Sequence, residues 1–212
     1  MDLALFGIQG SGKGTQGKII AEKYNLKLFE TGAELRKLAK ESSPLGLKIK
    51  AIINAGYLVP TEVVMEIIEN FLQDIPTNER VLFDGIPRSK EQMEHFNNIM
   101  SKHGRTFKGV QINITKEEAM DRLLARKICS GCKAVYPAWI TEEECKKCGG
   151  ELTRRADDNE ESIRTRLSAY ENETLPVIES YKSNDQMIIV DGMGTIEEIT
   201  ALLALELDKI FE

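Results

Sequence analysis

Leu3-Ala4-Leu5-Phe6-Gly7-Ile8-Gln9-Gly10-Ser11-Gly12-Lys13-Gly14-Thr15 decides the fold: a short apolar run breaks into a glycine-rich turn, which opens a helical pattern. Glycines let successive backbone N–H groups turn inward around a phosphate, and the following helix N-terminus adds a favourable dipole. Lys13 then carries a mobile positive charge to the outer phosphates. The general motif has Ser or Thr directly after the lysine; this chain has Gly14, with Thr15 one step later. The competing reading is a glycine-rich turn without chemistry, and the strand–loop–helix setting argues against it.

Outward from this motif, short apolar strands alternate with longer amphipathic stretches, the signature of an α/β fold with a parallel sheet. The expected strands are Leu3–Phe6, Leu26–Phe29, Arg80–Asp84, Gly109–Ile114 and Gln186–Val190. Helical spacing marks Lys13–Tyr24, Lys90–Lys102, Lys116–Lys127 and Ile196–Ile210. Residues 31–75 hold three helical stretches without a strand (Thr31–Lys40, Leu45–Ala55, Thr61–Gln73), more helix than one crossover needs, and read as an inserted helical subdomain. Residues 128–157, rich in Cys, Gly, Lys and Glu and containing Pro137 and the sole Trp139, read as a second compact insertion.

The 212 residues suit one folding unit, with 42% apolar and 29% charged residues, as in an ordinary globular protein. A net charge of -6 argues against a general nucleic-acid binder, which needs a basic surface. No apolar run approaches the ~20 residues that span a bilayer. The opening MDLALFGIQG carries no basic leader or cleavage pattern, so a cytoplasmic protein without membrane attachment is expected.

Two further motifs carry chemistry. Val81-Leu82-Phe83-Asp84-Gly85-Ile86-Pro87-Arg88 is an apolar strand ending in an acid, a tight turn and an arginine. Beside a phosphate loop, a strand-end Asp helps hold Mg²⁺, usually through water, and a guanidinium grips phosphate in a bidentate manner. Taken alone, Asp84 reads as an ordinary cap. Cys129-Ser130-Gly131-Cys132 and Cys145-Lys146-Lys147-Cys148 are two C-x-x-C pairs separated by twelve residues. Four such thiolates fall within tetrahedral reach of one structural Zn²⁺. Fe²⁺ and Co²⁺ also accept thiolates. Disulfides or free thiols would satisfy the same cysteine count, but a reducing compartment disfavours disulfides.

The loop GIQGSGKGTQ, the segment Thr31-Gly32-Ala33-Glu34-Leu35-Arg36, the stretch Gly56-Tyr57-Leu58-Val59-Pro60 and the turn DGIPRSKEQ, in that order, resemble the adenylate kinase family of nucleoside monophosphate kinases. The resemblance implies one domain: a core of residues 1–30, 60–125 and 159–212, an NMP-binding subdomain 31–59 and a zinc-ribbon lid 126–158. It implies reversible Mg²⁺-dependent transfer between ATP and AMP, giving ADP, by a protein expected to be monomeric. ATP would meet Gly10, Ser11, Gly12, Lys13, Gly14 and Thr15, with Arg122, Arg126, Val135, Tyr136 and the backbone of Gly194. AMP would meet Thr31, Arg36, Tyr57, Leu58, Val59, Gly85, Ile86, Pro87, Arg88 and Gln92, the last reading the base. Thr31 also reads as a helix N-cap.

By the same resemblance, Arg155 and Arg166 converge on the transferring phosphoryl and the AMP phosphate, and Asp157 supports them. Lys13, Asp84, Arg88, Arg122 and Arg126 complete the catalytic set. Arg122 and Arg126, four apart, are expected on one helix face. Fixed guanidinium groups stabilise charge that builds on equatorial oxygens without reorganising. Trp139 is expected to report lid closure. Arg154, Arg164, His95 and His103 are expected at the surface. The family usually has Asp where this chain has Ala33, and Phe where it has Ile86. A UMP or CMP kinase on the same scaffold is the near rival, and a nucleotide-gated zinc-ribbon binding module is the distant one.

Overall fold

A computed structural model describes residues 1–136, 140–155 and 157–211; Pro137 and Trp139 lie outside the described residues. In chain order the elements are β1 (Asp2–Phe6), α1 (Lys13–Lys23), β2 (Lys27–Glu30), α2 (Thr31–Leu38), α3 (Pro44–Ala55), α4 (Thr61–Gln73), β3 (Val81–Asp84) and α5 (Lys90–Lys102). They continue as β4 (Phe107–Asn113), α6 (Lys116–Ala125), β5 (Lys127–Cys129), β6 (Val135–Tyr136) and β7 (Leu152–Thr153). The chain closes with α7 (Glu160–Ala169), a π-helical turn (Tyr170–Thr174), α8 (Leu175–Ser183), β8 (Met187–Asp191) and α9 (Ile196–Phe211).

Five parallel strands form the main sheet in the order β2-β3-β1-β4-β8. Parallel sheets are covered on both faces, which is why β1 is apolar beyond its first residue and buried throughout. Successive side chains of β1 point to opposite faces. Leu3 and Leu5 pack with Ile20 of α1 and Ile199, Leu203 and Leu207 of α9. Ala4 and Phe6 pack with Leu123 of α6, Ile163 and Leu167 of α7 and Val177 of α8. A third cluster joins α3, α4 and α5 to Phe29 and Phe83 of β2 and β3. The small sheet β6-β5-β7 is antiparallel and stands apart in its own apolar cluster with Cys129 and Cys145.

The five expected strands and seven expected helices all form, with ends displaced by up to two residues. One displacement matters. The expected helix Lys116–Lys127 ends at Ala125, and Arg126 turns to an extended conformation (φ -64°, ψ 131°) at the start of the small sheet. Arg122 and Arg126 therefore do not share a helix face. The helical run from Glu160 to Ser183 is not evident from spacing, because Pro176 interrupts the pattern. Proline offers no N–H and crowds the carbonyl four residues back. That carbonyl belongs to Asn172, inside the π turn, where Leu175 N–H donates to Tyr170 O instead.

The opposite, amino-terminal edge of the sheet is fastened by an ion pair between residues 103 apart. Asp2 accepts from Arg105 at 3.1 and 3.2 Å and from Val81 N at 2.8 Å, and both charged side chains are only 4% exposed. Arg105 also donates to the carbonyls of Ile75, Pro76 and Glu79. Removing one partner of such a pair strands the other charge, whereas replacing both removes the problem. Asp2→Ala is expected to cost about 3–5 kcal/mol in urea denaturation, with most of it recovered in Asp2→Ala/Arg105→Met. A loss below about 1 kcal/mol in the single variant would contradict the burial argument.

Candidate active site

The carboxyl edge of the sheet carries the phosphate loop. Gly10 and Gly12 take positive φ (91° and 93°), and Gly12 precedes α1 with no side chain capping it. The first N–H groups of a helix lack intrahelical partners, so this end is open to an anion. Lys13 folds back on its own loop, donating to Gly7 O at 2.6 Å and Ile8 O at 3.0 Å. Burial lowers its pKa to about 8; Asp84 opposes this, and Arg88 and Arg126 add to it.

One strand over, β3 delivers Asp84, whose acidity burial weakens against the pull of Lys13 and Arg88. Gly85 (φ 77°) lets the Arg88 side chain fold back so that its Nε donates to Gly85 O at 2.6 Å. A Cβ at Gly85 would lie 2.7 Å from the Arg88 guanidinium, so a larger residue would displace the arginine as well as strain the positive φ. The Ile86–Pro87 peptide is cis, and Ile86 lies wholly in the core. Gln92 is buried, and its Oε1 accepts from Arg88 N at 2.9 Å.

On α2, Thr31 is the first helical residue rather than the N-cap, which is Glu30. Its hydroxyl is buried without a partner among the described residues. Such a group costs roughly 1–3 kcal/mol unless something fills its bond. Burial lowers the Arg36 pKa, Asp157 opposing and Arg126 adding to the shift. Leu58, Val59, Ser89, Gln92 and Asn172 line a groove of about 490 Å³ between the starts of α4 and α5 and the π-helical turn. Tyr57, just before this lining, is exposed, while Val59 is buried.

Arg126 and Arg166 meet at Asp158. Arg126 binds it with two bonds, Nε to Oδ2 at 2.9 Å and a terminal nitrogen to Oδ1 at 2.7 Å. Arg166 donates to the same Oδ1 at 2.8 Å and to Asp157 O at 2.6 Å, while the Asp157 carboxylate is 3.5 Å away. Asp158, which sequence reasoning passes over for Asp157, is thus the main organiser. The two acids are adjacent and chemically alike; only the acid pair itself signals either one. Burial holds the Arg155 pKa at about 10, with Arg126 and Arg36 contributing.

Other expected positions fall outside this cluster. Arg122 bonds Glu118 at 2.6 Å and Gly192 O at 3.1 Å, joining α6 to the loop after β8. That loop carries Gly194, which is exposed. Val135 is exposed, but the Tyr136 ring turns into the small sheet's core. Its hydroxyl meets Cys145 Sγ at 3.2 Å and accepts from Lys146 N at 2.9 Å, so the side chain is engaged at the cysteine site. Arg154, Arg164 and His95 are exposed as expected, whereas His103 is half-buried.

The sulfurs of Cys129, Cys132, Cys145 and Cys148 lie within 4.8 Å of one another. Ligands about 2.3 Å from one metal in a tetrahedron are about 3.8 Å apart, so this set fits a single thiolate-bound ion. At the phosphate loop the fit to a hard cation rests on oxygen donors: the Asp84 carboxylate faces the space in front of Gly14. Among the described residues, no helix is long and apolar enough to cross a membrane.

A family model described as adenylate kinase matches residues 5–186. An adenylate kinase of Novosphingobium aromaticivorans is 36% identical over 211 residues, covering 96% of this chain and 97% of the relative. One from Methanocella arvoryzae is 36% identical over 215 residues, covering 99% and 100%. One from a Geobacillus species is 37% identical over 206 residues, covering 95% of each.

The cysteine segment has a core of only a few side chains, too small to fold unaided, so metal should supply its folding energy. Chelation is expected to strip hydrogen-exchange protection from β5–β7 while β1, β3 and β4 keep theirs. Unchanged exchange in fully metal-stripped protein would contradict this.

Proposed function

The chain belongs to the adenylate kinase family and is a phosphotransferase, and we propose that it catalyses reversible, Mg²⁺-dependent transfer of the γ-phosphoryl of ATP to AMP, giving two ADP. The observation that carries the acceptor choice is the fixed amide of Gln92. Its oxygen is occupied by Arg88 N–H, so what it presents to a base is the NH₂ donor. Adenine N1 and cytosine N3 accept such a bond; the protonated ring nitrogens of guanine and uracil do not. The unpaired Thr31 hydroxyl at the start of α2 supports a ligand group bonding there as well.

In this reading Lys13 and the loop N–H groups hold the ATP phosphates, and Arg36 and Arg88 hold the AMP phosphate. Arg126, Arg155 and Arg166, positioned by Asp158 and Asp157, stabilise charge on the transferring group. Nothing covalent is required of the protein; positioning and electrostatics carry the step. Bound Mg²⁺, beside Asp84, would neutralise charge on the β- and γ-oxygens. Residues 31–59 and 126–158 act as the acceptor-binding and lid segments, the latter pinned by Zn²⁺ on its four cysteines. Closing them over both nucleotides excludes water, which would otherwise take the phosphoryl group.

With Mg·ATP and a panel of nucleoside monophosphates, followed by nucleotide chromatography, we expect ADP formation with AMP and no product from GMP or UMP. Preferred turnover of CMP would move the acceptor. No transfer by metal-loaded protein would overturn the reading.

The Lys13 ammonium gives a second test. Its pKa is about 8 in the free protein, and neighbouring phosphate oxygens favour the protonated form and raise it. Binding near pH 8 should therefore take up protons, up to about half a proton per site. Calorimetric titration of ATP in buffers of different ionisation enthalpy reads this directly. Proton release, or no buffer dependence, would contradict it.

A further inference from the structure

Strands β2 and β3 pair with Glu30 opposite Asp84, so two carboxylates leave the sheet side by side. Both face the first turn of α1. A Cβ built on Gly14 would stand 3.8 Å from Asp84 Oδ2 and 3.9 Å from Glu30 Oε1. In phosphate loops generally, this position carries a Ser or Thr hydroxyl that joins the strand-end Asp in holding the cation. Here the hydroxyl is missing, and the space it would fill is bordered by a second carboxylate. Ala33, where the family usually has an acid, supplies nothing; Glu30 lies three residues earlier at the same helix start.

An ordinary surface role accounts poorly for Glu30. It caps no N–H of α2 with its side chain. Its ion pair with Lys18, at 3.5 Å between partly exposed groups, is of a kind that contributes little.

Building on the nucleotide kinase reading above, we propose that Glu30 is a second positioning carboxylate for the nucleotide-bound divalent cation, acting with Asp84 from across Gly14 on the cation's water shell. Hydrated Mg²⁺ keeps several waters, and the groups that orient them govern affinity. The same carboxylate repels bare phosphates. It therefore favours metal-bound over metal-free ATP.

The test compares wild type with Glu30→Gln, which keeps size and removes charge, using Mn²⁺ as the probe. Electron paramagnetic resonance of free Mn²⁺ gives its affinity for the protein saturated with a non-hydrolysable ATP analogue. Equilibrium titration with EDTA gives binding of the metal-free analogue. In Glu30→Gln, Mn²⁺ affinity is expected to fall about tenfold, while the metal-free analogue binds as well as before or more tightly. Lys18→Ala, which breaks only the ion pair, should leave Mn²⁺ affinity unchanged. Mn²⁺ affinity within about twofold of wild type in Glu30→Gln would overturn the proposal, since outer-shell partners matter by more than this. So would parallel weakening of both forms, or an equal loss in Lys18→Ala. Failure of wild type to transfer phosphoryl would instead count against the kinase reading, and the Mn²⁺ comparison would still be readable.

Discussion

Like charges repel, and the carboxyl edge of this sheet gathers Lys13, Arg36, Arg88, Arg126, Arg155 and Arg166 into one electrostatically connected set. The carboxylates that face them, chiefly Asp84, Asp157 and Asp158, do not match them in number. Burial and mutual repulsion both disfavour this arrangement in the empty protein. It persists because the scaffold ties four of these cations to fixed oxygens. Lys13 is tethered to loop carbonyls, Arg88 to Gly85 O, and Arg126 and Arg166 to one oxygen of Asp158. The excess charge has its counterpart in the polyphosphate of the substrates, so binding relieves what folding has gathered. A chain with a net charge of -6 reserves this positive potential for a cleft, where it acts on small phosphorylated ligands.

What makes such a cleft sustainable is the rigidity of the opposite edge. Asp2 and Arg105 tie the starts of β1 and β3 to the loop over residues 75–79. Apolar clusters on both faces then hold the strand ends that carry the phosphate loop, Glu30 and Asp84 in fixed relation. The segment bearing β5–β7 is built differently. Its few core side chains include two of its own cysteines, and Tyr136 gives up its hydroxyl to them. A metal on the four cysteines would let such a unit move as a body without adding to the main core.

The features most legible in the sequence are those encoded by contiguous residues. The phosphate loop and the paired C-x-x-C motifs need only local spacing, and the structure brings the four sulfurs together as that spacing implies. The strand ending in Asp84 is readable because a buried parallel strand is a nearly uninterrupted apolar run. What escapes depends on distance or direction. Asp158 cannot be told from Asp157 until the chain turns after Arg155. Arg126 lies beyond the end of α6 and bonds a partner 32 residues away. Asp2 and Arg105 are unremarkable surface-type residues until register places them together. Glu30 gains meaning only from its pairing with Asp84 and from the missing side chain at Gly14. Residues 160–183 are obscured by Pro176, whose effect the π turn absorbs.

In the proposed reading one cationic cluster engages the phosphates of two nucleotides at once. The most direct test is calorimetric binding of a dinucleoside polyphosphate with adenosines at both ends of a five-phosphate chain. One molecule is expected to bind per chain, far more tightly than ATP or AMP alone, with affinity falling sharply in Arg88→Ala and Arg126→Ala alike. Two molecules bound per chain, or affinity no greater than that of ATP, would mean that the arginines serve a single nucleotide.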